Sequence, residues 1–193
     1  MFARTKRLTL RPGWPEDATA LTAAIAHEEV AFKLARLPWP YTKADAQDWL
    51  SRKTSANEVS LLIFAHEGAT PRLVGVISLL PDIYHGDAQG GAAASHELGY
   101  WLTPDAWGKG YATEAGMAML GIARHALGLK RLLSGHFLDN PASGKVLAKL
   151  GFQKIGVANR HCLALGVDKP CAVMTLALGG DTGESCAPER LAA

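Results

Sequence analysis

The stretch HELGYWLTPDAWGKGYATEA, residues 96–115, holds the densest set of groups able to do chemistry in this chain. A strand pattern ends at Thr103 and Pro104, and Gly108 and Gly110 mark a turn that runs straight into a helix pattern. Glycine lets a ligand approach the backbone without meeting a Cβ. The first amides of a helix have no acceptor within the helix and lie at the positive end of its dipole, so the turn suits a phosphate or pyrophosphate. The candidate cradle is therefore Gly108, Lys109, Gly110, Tyr111, Ala112 and Thr113, with Lys109 able to add a point charge. A Walker loop is excluded because no GxxxxGK run followed by Ser or Thr is present, and the Rossmann fingerprint fails because Thr113 stands at its third glycine. On spacing alone, two glycines that merely shape a tight turn remain the competing explanation.

A second candidate lies at NPASGKVLAKLGF, residues 140–152, where Asn140 before Pro141 reads as a helix cap. Cys162, Cys171 and Cys186 are odd in number and lie outside zinc-ligand or CxxC spacing, which argues against a disulfide framework and for a reducing compartment. The histidines show no ligand spacing, and no metal site is predicted. Trp39, Tyr41 and Trp49 are large aromatics that belong either to a core or to an acceptor cleft.

These groups need a scaffold, and hydrophobic periodicity supplies one. Residues 4–11 alternate as a half-buried strand ended by Pro12 and Gly13. A helical pattern follows from Asp17 to about Leu37, with room for a break near Glu28, and Thr42 with Asp45 opens a helix to about Lys53. Val59–His66 and Leu73–Leu80 read as a hairpin across GATP, and the Gly- and Ala-rich residues 81–95 as a mobile loop. Strands at 96–102, 131–137, 153–165 and 172–178 and helices at 111–127 and 141–150 complete the pattern. Gly116 and Gly121 inside a helix each cost about 1 kcal/mol against Ala and suggest close packing. Hairpins followed by alternating strands and helices imply an α/β sheet of mixed direction in one three-layer domain.

Composition agrees. The 193 residues are 48% hydrophobic and 20% charged with net charge +2, the profile of one globular domain large enough to fold without a staple. No basic run interleaved with aromatics points to nucleic acid, no apolar stretch points to a membrane, and a cytoplasmic location is expected.

The WGKGYATEA wording, the preceding ELGYWL strand and the later NPASGKVLAKLGF segment resemble the GNAT superfamily of acetyl-CoA-dependent N-acyltransferases, and within it the RimJ/RimL-type branch. The family's phosphate loop, Q/R-x-x-G-x-G/A, lies on Trp107 to Ala112, with Trp in place of Gln or Arg. The resemblance implies a single domain over residues 1–178, and the small, polar residues 179–193 read as a flexible tail. The sheet it implies is mixed and mostly antiparallel, with about seven strands, helices on both faces, and a splay between the 96–102 and 131–137 strands. The resemblance also implies that the pantothenate arm of acetyl-CoA pairs with the backbone of Tyr100, Trp101 and Leu102, that its pyrophosphate rests on the cradle, and that Asn140 hydrogen-bonds it. Many members carry at the position of Leu147 a tyrosine that protonates the departing thiolate; leucine cannot, and in this branch the serine at the position of Ser143 takes that role.

Glu97, entering the strand beside the thioester that the resemblance implies, and His136, facing it across the splay, are the candidate bases. Deprotonating a lysine-like amine at pH 7 costs about 4.6 kcal/mol, against about 1.1 for an α-amine. A weak base therefore favours an α-amine acceptor, a protein N-terminus or an amino-acid-like molecule, attacked directly without an acyl-enzyme. The alternative, given Leu147, is a catalytically weak acyl-CoA-binding or sensor domain. No nucleic-acid or membrane partner is expected, and monomer and homodimer both fit.

Overall fold

The computed structural model describes residues 1–52, 55, 57–81 and 96–179. The mobile loop expected up to residue 95 and the tail after Gly179 lie outside the described residues, as do Cys186 and His85.

The chain opens with β1 (Ala3–Arg4) and β2 (Leu8–Arg11), a hairpin where one strand is expected. Thr5 makes the difference. Its backbone N–H donates to the Leu8 carbonyl, and its hydroxyl oxygen accepts from the Leu8 N–H, which bends the chain back on itself. The helical pattern from Asp17 divides into a 3-10 turn (Pro15–Asp17), α1 (Ala18–Ile25) and a single turn, α2 (Glu28–Ala31). Beyond α2 the carbonyls of Phe32, Leu34 and Ala35 accept from the Lys169 ammonium, the Cys162 thiol and the Leu163 N–H. Those distant partners replace the helical ones and end the helix short of Leu37. Helix α3 (Lys43–Ser51) starts at a reciprocal cap in which Thr42 Oγ1 accepts from the Asp45 N–H while Asp45 accepts from the Thr42 N–H.

Then come β3 (Val59–Ala65), β4 (Arg72–Pro81), β5 (His96–Leu102), α4 (Tyr111–Gly121), β6 (Arg131–Phe137), α5 (Pro141–Lys149), β7 (Gln153–Cys162) and β8 (Val167–Ala177). Helix α4 stops at Gly121 and passes into a π-turn (Ile122–Ala126), short of the expected Leu127. Strand β7 stops at Cys162 because the chain turns there through Gly166 at φ +66°.

Among the described residues the sheet has eight strands in the order β1-β2-β3-β4-β5-β6-β8-β7, one more than expected because of β1. All pairs are antiparallel except β5 with β6. Helices cover both faces, so β3 is apolar nearly throughout: Leu61 and Ile63 face the cluster of α4 and α5, and Leu62 faces that of α1 and α3. Gly116 lets α4 approach α5, since a Cβ there would lie 2.6 Å from Leu150 Cδ1. Gly121 has open space beside it, so the close packing expected of it is absent.

Candidate active site

Strands β5 and β6 pair only at His96 with Leu132 and Glu97 with Leu133. Beyond that point they separate, and the buried Ser134 hydroxyl donates to the Leu98 carbonyl at 2.8 Å where the gap begins. The backbone of β5 from Leu98 to Leu102 thus faces a space instead of a neighbouring strand. Peptide groups left without partners are costly, so such an edge suits a ligand that bonds as a strand does. At its far end the Trp107 indole N–H donates to the Leu102 carbonyl at 2.8 Å, which ties the turn to the strand.

The gap opens into a cleft of about 830 Å³. Gly108 at φ +74° and Gly110 at φ +81° adopt the left-handed backbone that other residues resist. They turn the chain into α4, whose N-terminus has no side-chain cap, in contrast to α3 and α5. The amides of Tyr111, Ala112 and Thr113 are therefore available to an anion at the cleft wall. The open edge and the uncapped helix end together fit the thioester arm and the pyrophosphate of acetyl-CoA.

The cleft gathers Glu97, Tyr100, Trp101, Leu102, Gly108, Gly110, Tyr111, Ala112, Thr113, His136, Asn140 and Ser143, all of the sequence-predicted residues but Lys109. The Lys109 ammonium, expected as a point charge for the cradle, is paired with a carboxylate in this structure. It lies 2.6 Å from Glu67 Oε1, and the same carboxylate accepts from the Tyr111 hydroxyl and from Arg72. The Lys109 bond, followed by those of Tyr111 and Arg72, pulls the Glu67 carboxyl down to about 2. Glu114 accepts from Thr5 and Arg7 and so anchors the β1-β2 hairpin to α4.

Glu97, one of the candidate bases, is 8% exposed and paired with the buried Arg160 and with Arg36. Both its oxygens are engaged, so taking a proton would require dismantling an ion-pair cluster. His136 is better disposed. Its Nδ1 lies 2.9 Å from the Phe137 carbonyl, which can only accept, so the neutral ring carries its proton on Nδ1 and its lone pair on Nε2. The ring lies over Gly144, where a Cβ would come 2.7 Å from Nε2.

Asn140 Oδ1 accepts from the Ser143 N–H at 3.3 Å, which caps α5 and leaves the carboxamide nitrogen for other partners. The Ser143 hydroxyl lies 2.8 Å from the Tyr100 hydroxyl, a contact that sequence reasoning missed because it used Tyr100 for its backbone alone. Burial pushes the Tyr100 phenol up to about 12, against the lowering effect of its bond to Ser143. Leu147 is buried in the core. Tyr41, Trp49 and Trp101 line the cleft while packing against the core cluster of α1 and α3, whereas Trp39 packs edge-on against Phe32 with ring centroids 6.0 Å apart.

Residues 7–153 match the family described as acetyltransferase (GNAT) domain. The chain is 28% identical over 166 residues to the uncharacterized N-acetyltransferase YoaA of Bacillus subtilis (strain 168), covering 81% of this chain and 85% of that protein. Its fold is similar to that of the microcin C7 self-immunity acetyltransferase MccE in complex with acetyl-CoA and AMP (TM-score 0.70, 20% identity, 90% of this chain and 93% of the other). It is also similar to the ribosomal-protein-S5-alanine acetyltransferase of Vibrio fischeri (TM-score 0.71, 16% identity, 92% and 96%).

Proposed function

The chain belongs to the GNAT acetyltransferase family and is an acetyl-CoA-dependent acyltransferase, and from that premise we propose that its acceptor is an α-amine on a polypeptide N-terminus or an amino-acid-like molecule. The observation that carries this reading is the engagement of Glu97 by Arg36 and Arg160. With that carboxylate occupied, His136 Nε2 is the remaining proton acceptor among the candidates. An α-amine needs about 3.5 kcal/mol less deprotonation at pH 7 than a lysine side chain, so it tolerates weak assistance. The RimJ/RimL-type wording of the glycine turn and the ribosomal-protein-alanine acetyltransferase among the structural relatives lend support.

The cofactor supplies an activated acetyl group as a thioester. Amides of the cradle hold its pyrophosphate, and the open backbone of Tyr100 to Leu102 aligns its arm. The same backbone, held by β4 on its other side, offers fixed donors to the oxygen on which negative charge develops. His136 Nε2 receives the proton that the attacking amine sheds, and Ser143 Oγ gives a proton to sulfur. Asn140 holds Ser143 in place through the helix cap.

The test uses peptides with a free N-terminus and one internal lysine beside N-terminally blocked copies, with acetyl groups located by fragmentation mass spectrometry. Free peptides become modified on the α-amine, and log rate rises with pH at unit slope until about 8 and then flattens. Blocked peptides modified on lysine as fast as free ones on the α-amine would refute the assignment.

A further inference from the structure

We propose that the Tyr100 phenol stands behind Ser143 as its proton supply, so that the two hydroxyls serve the departing sulfur as one relay. This rests on the placement of Ser143 as proton donor and adds Tyr100 as a positioning residue that acts through it. The two residues come from opposite walls of the splay, Tyr100 from β5 and Ser143 from the first turn of α5. Their hydroxyl oxygens are 2.8 Å apart, and Tyr100 Oη also lies 3.1 Å from the Ser143 carbonyl, to which it can donate. A small rotation of the phenolic O–H moves its proton from the carbonyl to Oγ, which frees the serine proton to point into the cleft. Leu147, one turn further along α5, is buried in the core, so the helix itself offers no phenol.

Acidity explains why a second hydroxyl matters. A thiol ionises near 8.5, and an aliphatic hydroxyl is about as weak an acid as water, so a lone serine faces an uphill transfer of about seven powers of ten. The Tyr100 phenol, although pushed up to about 12 by burial, cuts that to between about three and four. As the electron pair of the carbon–sulfur bond passes to sulfur and the amine nitrogen takes its place on carbon, Ser143 Oγ releases its proton to sulfur. Tyr100 Oη passes its own proton to Ser143 Oγ. The phenolate recovers a proton from solvent, which takes up the one lost by the amine.

The experiment compares wild type with Tyr100→Phe, Ser143→Ala and the double variant. Thiol release from acetyl-CoA is followed with peptides and, separately, with hydroxylamine. The thiolate absorbance of bound CoA is titrated without any acceptor. Tyr100→Phe is expected to lower kcat about 10- to 100-fold with KM for acetyl-CoA within about twofold. The double variant should be no slower than the slower single, because both changes break one chain. Ser143→Ala removes the donor to the thiolate and should raise the bound-thiol midpoint, and Tyr100→Phe, which removes the donor behind it, should move the midpoint in the same direction. In wild type the 13Cζ resonance of Tyr100 should follow that titration, and in Ser143→Ala, which leaves Tyr100 in place, it should not. Turnover of Tyr100→Phe within twofold of wild type, defects that multiply in the double variant, or a midpoint moved by Ser143→Ala alone would each overturn the relay. A Tyr100 resonance that still follows the thiol in Ser143→Ala would overturn it too, by showing direct contact. Inert peptides with hydroxylamine accepted and the Tyr100 effects intact would refute the polypeptide acceptor and leave the relay standing.

Discussion

Gly144 is the position at which the site can be probed through stability alone. Inside α5, replacing glycine by alanine is worth about 1 kcal/mol in helix propensity, so Gly144→Ala should stabilise the protein if nothing else intervened. The structure says that something does. The added Cβ would lie 2.7 Å from His136 Nε2 and 3.0 Å from Cε1, well inside contact distance, so the ring must move. Moving it strains or breaks the Nδ1 bond to the Phe137 carbonyl, worth about 1 kcal/mol, and adds an overpacking cost of about 1–3 kcal/mol. The net expectation is destabilisation by about 1–3 kcal/mol in wild type, but stabilisation by about 1 kcal/mol in a His136→Ala background, where the obstacle is gone. Urea denaturation of the four proteins gives the coupling directly, as a difference of about 2–4 kcal/mol between the two backgrounds. Equal effects of Gly144→Ala in both would refute the claim that this glycine exists to seat the histidine ring at the cleft wall.

Gly110→Val should keep the fold yet weaken CoA binding at least tenfold by calorimetry, because a branched residue resists φ +81° and crowds the anion; unchanged affinity would remove the cradle. Arg160→Ala should destabilise by about 3 kcal/mol in denaturant, since it strips a buried partner from Glu97, whereas Arg160→Met combined with Glu97→Gln should recover most of that; equal loss in both proteins would count against the ion-pair account. Lys109→Met should bring the Glu67 carboxyl, read by NMR titration, back up from about 2 toward the ordinary range, since the Lys109 bond is the main cause of its low value. The sign follows from the depressed folded value: the stability Glu67 contributes is complete above its unfolded value near 4.5 and vanishes as pH falls toward 2. Wild type should thus exceed Lys109→Met in stability above about pH 5 and match it near pH 2, and an unshifted Glu67 midpoint would refute the assignment.

The glycine turn before α4 was legible in the chain because its requirements are local. Glycine at 108 and 110 answers a backbone demand that any sequence must meet within a few residues, and α4 begins where the turn ends. Asn140 and Thr42 were legible as caps for the same reason, since a cap bonds an amide only three residues away. The first strand followed from period-two apolarity, and the next two from runs of Val, Leu and Ile on either side of the GATP turn.

Partners chosen across the fold were beyond that reach. Glu97 meets Arg160 from β7 and Arg36 from beyond α2, Lys109 meets Glu67 from the start of the β3-β4 turn, and Tyr100 meets Ser143 across the splay. In each case the residue types alone allowed another role, a base, a phosphate contact or a backbone ligand, and the choice was made by which side chain arrives within 3.1 Å. The sequence by itself determined where the backbone turns, caps and alternates, because those interactions span a few residues. Tertiary structure alone decided which charges are neutralised and which hydroxyls share a proton, because electrostatic and hydrogen-bond energies depend on distances through space that sequence separation does not set.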